Sequence, residues 1–337
     1  ILIPLVSLIG IILNFRIFMN IYYNKKKKLS DKIYKFMYIN SLFNTIYCTI
    51  LFFNLMNQCI LITKDVCSPL YGSYFAQYFK IVFLSFLSNI LKLCSNFSYI
   101  LMLISRYILI GKNPIEFLES LVKTSNKVTI FYFLFGSICL SFPKLATYEI
   151  NNIYDGYEYP LLTINSYFDN FHTTIRFFTY SFLFEDLFSF LFFSILTILI
   201  DLLTIIKFRK VIDQKKKLAY QVSSIIQSKL DKLEVKNQKA IQMIIINAFT
   251  NFILRLPDLL FIFSQFLPAL AYNSWLYIHV CRGAYMCSSL QDVGQFFYLL
   301  SIELPFFIYY YFDENFSDTF KKTFKFSKSV YIKDLIN

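Results

Sequence analysis

The feature that most constrains this chain is an alternation of long apolar runs with short charged clusters. A helix needs about 20 mostly apolar residues to cross the hydrocarbon core of a bilayer. Seven segments reach that length: 1–23, 33–58, 73–110, 127–147, 174–206, 239–263 and 282–312. The second and seventh are the weakest, because polar residues interrupt them. The composition agrees. Of 337 residues, 57% are hydrophobic and only 16% are charged, against about 25% charged in ordinary soluble domains. Lipid-facing side chains must be apolar as well as core ones, and backbone polar groups must pair within the segment, which makes helices the spanning element. The expected fold class is therefore an all-α membrane protein, a seven-transmembrane helix bundle over residues 1–312.

The connecting segments orient this bundle. Segment 24–32 carries five lysines and one acid, and segment 207–239 ten basic residues and three acids. Segment 111–126 has two of each sign. On the alternate side, 59–72 has one of each, 148–173 has only Glu149, Asp155, Glu158 and Asp169, and 264–281 has no charged residue. Lysine and arginine mark the cytoplasmic side, so the N-terminus is expected outside and the C-terminus in the cytoplasm. The net charge of +12 sits in these topology clusters, and nucleic acid is not an expected partner. The expected partners include membrane lipids.

Residues 313–337 form a second unit. Phe316, Phe320 and Phe324 recur every four residues among Lys321, Lys322, Lys325 and Lys328. On a helix this gives an apolar stripe with a basic rim, suited to lying in the membrane interface ahead of a short cytoplasmic tail.

Ionisable residues inside spans are costly, about 2.5–3.5 kcal/mol at a helix centre, and mark functional sites. Lys92 stands 14 residues before Arg106, roughly 21 Å along the same helix at 1.5 Å per residue. Its candidate partners are Glu185 and Asp186 in span five, and Asp292 and Glu303 in span seven. Arg255 and Asp258 flank Pro257 at a spacing that lets them pair with each other. Pro257 removes a backbone hydrogen bond and is expected to kink span six. In 207–239, Leu218, Val222, Ile225, Ile226, Leu230 and Leu233 recur with helical spacing, so spans five and six are expected to continue as helices beyond the bilayer.

Several motifs together give the chain a family likeness. Span three ends in Ser105-Arg106-Tyr107, span one holds Gly10 and Asn14, span six holds Pro257, and span seven ends in Leu304-Pro305-Phe306-Phe307-Ile308-Tyr309. With the topology, this resembles a divergent rhodopsin-like (class A) G-protein-coupled receptor. Ser105-Arg106-Tyr107 resembles that family's acid-Arg-Tyr motif, with serine for the acid. The span-seven segment resembles its Asn-Pro-x-x-Tyr motif, with Leu304 for Asn and one extra residue before Tyr309. Asn44 stands near the family's sodium-site aspartate, and Arg255 takes the place of its span-six tryptophan.

The resemblance implies signal transduction in the plasma membrane, from an extracellular ligand to a heterotrimeric G protein. The ligand is unidentified; a peptide and a chemosensory ligand are both open. Ser105, Arg106, Tyr107, Pro257, Pro305 and Tyr309 would be the coupling and switch residues. Arg106 would pair locally at rest and meet the G protein when active. Without an acid at 105, the resting lock is expected to be weak and basal activity raised. Lys92, Glu185, Asp186, Arg255, Asp258, Asp292 and Glu303 are the intramembrane charges available to the ligand pocket. No cofactor or metal site is expected, since there are two histidines and no Cys-x-x-Cys pair. No phosphate loop or catalytic triad signals an enzyme. The competing class is a seven-span ion channel or transporter of inverted topology, for which the intramembrane charges speak.

Overall fold

The structure is a computed structural model that describes residues 2–24, 29, 32–57, 70, 73–110, 116–146, 192–219, 238–258, 260 and 285–323. The described residues are nearly all helical, with no strand among them. The long helices are α1 (Leu2–Asn24), α2 (Lys32–Phe53), α3 (Tyr74–Leu109), α4 (Asn126–Ala146), α5 (Phe193–Ala219), α6 (Gln238–Asp258) and α7 (Tyr285–Phe312), and α8 covers 314–323. A short helix, Glu116–Lys123, precedes α4. Among these, α1, α2, α3, α6 and α7 are long and apolar enough to cross a bilayer, and Asn126–Phe142 is a shorter apolar stretch. This fits an all-α, membrane-embedded protein. The first part of span five, 174–191, lies outside the described residues.

Three of the polar residues that weakened span two are satisfied within the helix. Ser41, Thr45 and Thr49 donate to the carbonyls of Met37, Ser41 and Thr45 at 2.7–2.8 Å. A hydroxyl that bonds back four residues carries no unmet polarity into lipid. In α1 the amide of Asn14 likewise donates to the Gly10 carbonyl, at 3.0 Å. Gly10 itself faces Cys48 of α2 and Glu303 of α7. A Cβ there would lie 2.7 Å from Cys48 Sγ and 2.9 Å from Glu303 Oε1.

α3 is the central helix, packing on α2, α4 and α5. Ser73 caps it by accepting from the Ala76 amide at 3.2 Å. Residues Phe79–Leu87 then form π-helical turns before the regular helix resumes at Ser88. The apolar periodicity of this stretch gave no sign of the widened turns. Lys92 and Arg106 both lie in the regular portion, so their expected separation along the axis stands.

α5 continues through Lys207, Arg209 and Lys210 to Ala219, as the spacing of Leu218 with the residues after it implied. The remainder of that periodic stretch lies outside the described residues. α8 follows a corner at Asp313, whose carboxylate accepts from the Phe316 amide at 3.1 Å and from the Tyr34 hydroxyl at 2.8 Å. The phenylalanine stripe of α8 turns toward the bundle: Phe316 is 0% exposed, and Phe320 lies 5.2 Å from Phe306. Thr319 and Thr323 meet Asn20 and Asn24 at the end of α1. Phe324 lies outside the described residues.

Candidate functional site

Two polar clusters occupy the interior, one at the level of Arg106 and one at the level of Lys92. At the first, Arg106 is 6% exposed. Its Nη2 donates to the hydroxyl of Tyr309, and its guanidinium lies 5.1 Å from the Tyr309 ring. The Tyr309 hydroxyl donates in turn to Met102 Sδ at 3.3 Å. Thus the residues matched to the two family motifs, on α3 and α7, are in direct contact. Ser105 is buried and donates to the Leu101 carbonyl at 2.7 Å. It occupies its own backbone and leaves Arg106 to others. Tyr107 faces α5, where Lys207 Nζ donates to its carbonyl at 3.1 Å and sits 4.2 Å from its ring.

Sequence reasoning missed the acid of this cluster. Asp201 on α5 is 3% exposed, and its charge acts on Arg106, as does that of Asp313. Among the described residues, Asp201 Oδ2 and Arg106 Nη1 have no hydrogen-bond partner, and no ion pair joins the two side chains. Tyr99, about two turns above Arg106, accepts from the amides of Asn247 and Asn251 on α6. Two signals could have found these residues. Asp201 is a lone acid inside an apolar run, and Asn247 and Asn251 stand four apart on one face of span six.

At the second level, Lys92 Nζ lies 2.9 Å from Asp258 Oδ2 and 4.5 Å from the Tyr298 ring. This corrects two expectations. Among the described residues the carboxylate of Lys92 is Asp258, not Asp292, which is exposed, nor Glu303, which is buried beside Gly10 and Cys48. Glu185 and Asp186 lie outside the described residues. Arg255 does not pair with Asp258 either. Lys92 takes that carboxylate, and Arg255 lies over the Tyr298 ring at 5.4 Å. Spacing along one helix identifies neighbours on that helix, whereas α3 supplied the competing cation. Pro257 stands in the last described turn of α6, so the kink expected there falls where the description ends. Pro305 lines an interior cavity together with Tyr309, Arg255 and Asn44.

The approach of Asp258 to α7 depends on Gly294. A Cβ at that position would lie 2.5 Å from Asp258 Oδ1 and 3.5 Å from its Cα. Gly294→Ala is therefore expected to push the carboxylate off Lys92 and to destabilise the protein by about 1–3 kcal/mol. The check is the thermal midpoint of the purified variant. A midpoint equal to that of the parent would show that the contact is slack.

Cys48 and Cys94 are buried free thiols and Cys139 is an exposed one. Cys59, Cys67 and Cys281 lie outside the described residues. Among the described residues, no group of three or more His, Cys, Asp or Glu side chains could hold a metal ion. No protein-family model and no curated protein sequence matches this chain.

Proposed function

We propose that this chain is a seven-helix receptor of the plasma membrane. In this reading it transmits the binding of an extracellular ligand to a heterotrimeric G protein, with the N-terminus outside. The observation that carries the reading is the buried contact of Arg106 with Tyr309. A guanidinium at a helix end that only anchored the helix would snorkel to the interface. Arg106 is instead drawn inward against α7 and lies within the field of an acid on α5. An arginine held by separate helices is released when those helices move. A ligand that binds the released state better would shift the population toward it. The basic continuation of α5 supplies a surface for a partner at the same end.

The experiment that tests the reading begins with topology. Epitopes placed in 148–173 and in 207–239 are probed in intact and in permeabilised cells. Labelling of the first in intact cells, and of the second only after permeabilisation, is the expected result. The reverse pattern would turn Arg106 outward, end the G-protein reading and favour the inverted channel or transporter.

A further inference from the structure

We infer that the interior cavity between the two polar clusters is a binding site for a small monatomic anion, chloride in the cell. The cavity measures about 30 Å³, room for about two water-sized particles at roughly 10–15 Å³ each. Its polar lining includes Asn40, Asn44, Ser95, Asn251 and Ser301, and Arg255 is the only charged residue among the described residues that line it. A guanidinium stays protonated in any protein environment. Arg255 is half-buried, and a charge drawn partly out of water gains from a counter-charge, because leaving water costs several kcal/mol per ion.

Among the described residues no carboxylate lies within ion-pair distance of Arg255. Asp258, one turn away on α6, holds Lys92 at 2.9 Å, and Glu303 on α7 sits against Gly10 and Cys48. Arg255 therefore keeps its positive charge without a paired acid among the described residues. The Tyr298 ring compensates it in part from 5.4 Å. Among the described residues, Arg255 Nε has no hydrogen-bond partner.

The neutral lining adds a donor. The side-chain amides of Asn40 and Asn44 converge on Ser95 Oγ, at 2.6 and 2.7 Å. A hydroxyl has one proton to give and two lone pairs, so one amide oxygen takes that proton and the other amide turns its nitrogen to donate to Oγ. The nitrogen of the accepting amide is left without a described acceptor. A cavity lined by a guanidinium and an amide nitrogen, with no carboxylate among the described lining residues, favours an anion over a cation. Its size limits that anion to a halide.

The test is ion-dependent stability of the full chain in detergent, a readout independent of G-protein coupling. Thermal midpoints are measured in potassium chloride and in potassium gluconate at equal ionic strength, gluconate being too large for the cavity. The expected result is a saturable rise of about 3 °C or more in chloride. Bromide should reproduce it, and exchanging potassium for sodium should leave it unchanged. Arg255→Gln should abolish the chloride response. Asn44→Asp, which puts a carboxylate into the cavity, should abolish it too, and it covers the case in which Arg255→Gln fails to fold. Equal midpoints in the two salts would overturn the assignment. So would a full chloride response in Asn44→Asp, or a response that follows the cation.

Discussion

Replacing Lys92 with methionine, or Asp258 with leucine, is expected to destabilise the protein by about 1.5–3 kcal/mol, the worth of a charge-assisted hydrogen bond in a pair that is only partly buried. The side chains are 27% and 13% exposed, and their 2.9 Å contact joins α3 to α6 inside the bundle. Each single variant leaves one charge in a low-dielectric interior. The double variant Lys92→Met/Asp258→Leu removes both charges, and apolar groups of similar volume replace a buried pair at little cost. It should therefore recover most of the parent's thermal midpoint. The Tyr298 ring lies against both Lys92 and Arg255. Tyr298→Leu should remove the cation–π contact with Lys92 at 4.5 Å, worth about 0.5–2 kcal/mol, and should cost less than either single charge deletion. The decisive comparison is the cycle. If the two single losses simply add in the double variant, Lys92 and Asp258 are not partners.

The cost of burying charge made Lys92 visible in the sequence, but its partner was not visible. Any of several acids on other spans could have met it, and the choice depends on helix rotation and on the room that Gly294 leaves for Asp258. One-dimensional spacing encodes neither. The spans themselves were legible wherever the apolar run is long, as in α1, and less so in α2, whose serines and threonines read as interruptions until their carbonyl partners are seen. Arg106 and Tyr309 stood out through motif resemblance, although the sequence sets them 203 residues apart. Asp201 escaped notice because it stands alone among apolar residues in span five, and nothing along the helix itself points to the arginine on another span that it faces. The phenylalanine repeat of α8 announced an amphipathic helix. It did not announce that Phe316 would be fully buried against α7, since lipid and protein interior place the same demand on a phenylalanine.

Asp201 changes what is expected of the serine at 105. With no acid beside Arg106, sequence reasoning gives a weakly held arginine. The acid on α5 restores a counter-charge from another helix. In the receptor reading, Asp201→Asn should weaken the hold on Arg106 by about 1–2 kcal/mol, since the two buried charges act on each other without a direct ion pair and a contact pair at an effective dielectric of about 20 is worth a few kcal/mol at most. A change of that size shifts a two-state population about 5–30-fold. Basal nucleotide exchange on a co-expressed G protein should rise accordingly. Ser105→Asp, which places an acid next to Arg106 on its own helix, should lower it. Arg106→Ala should abolish exchange. The double variant Arg106→Ala/Asp201→Asn should be as silent as Arg106→Ala alone, because the acid acts only through the arginine. Tyr309→Phe keeps the ring and removes the hydroxyl that Arg106 meets, so its basal rate should also rise. Two results would sink the scheme: exchange in Asp201→Asn at the parent's level, or exchange that survives in Arg106→Ala. The first would leave Asp201 a buried acid without a role in the switch, and the second would remove Arg106 from coupling altogether.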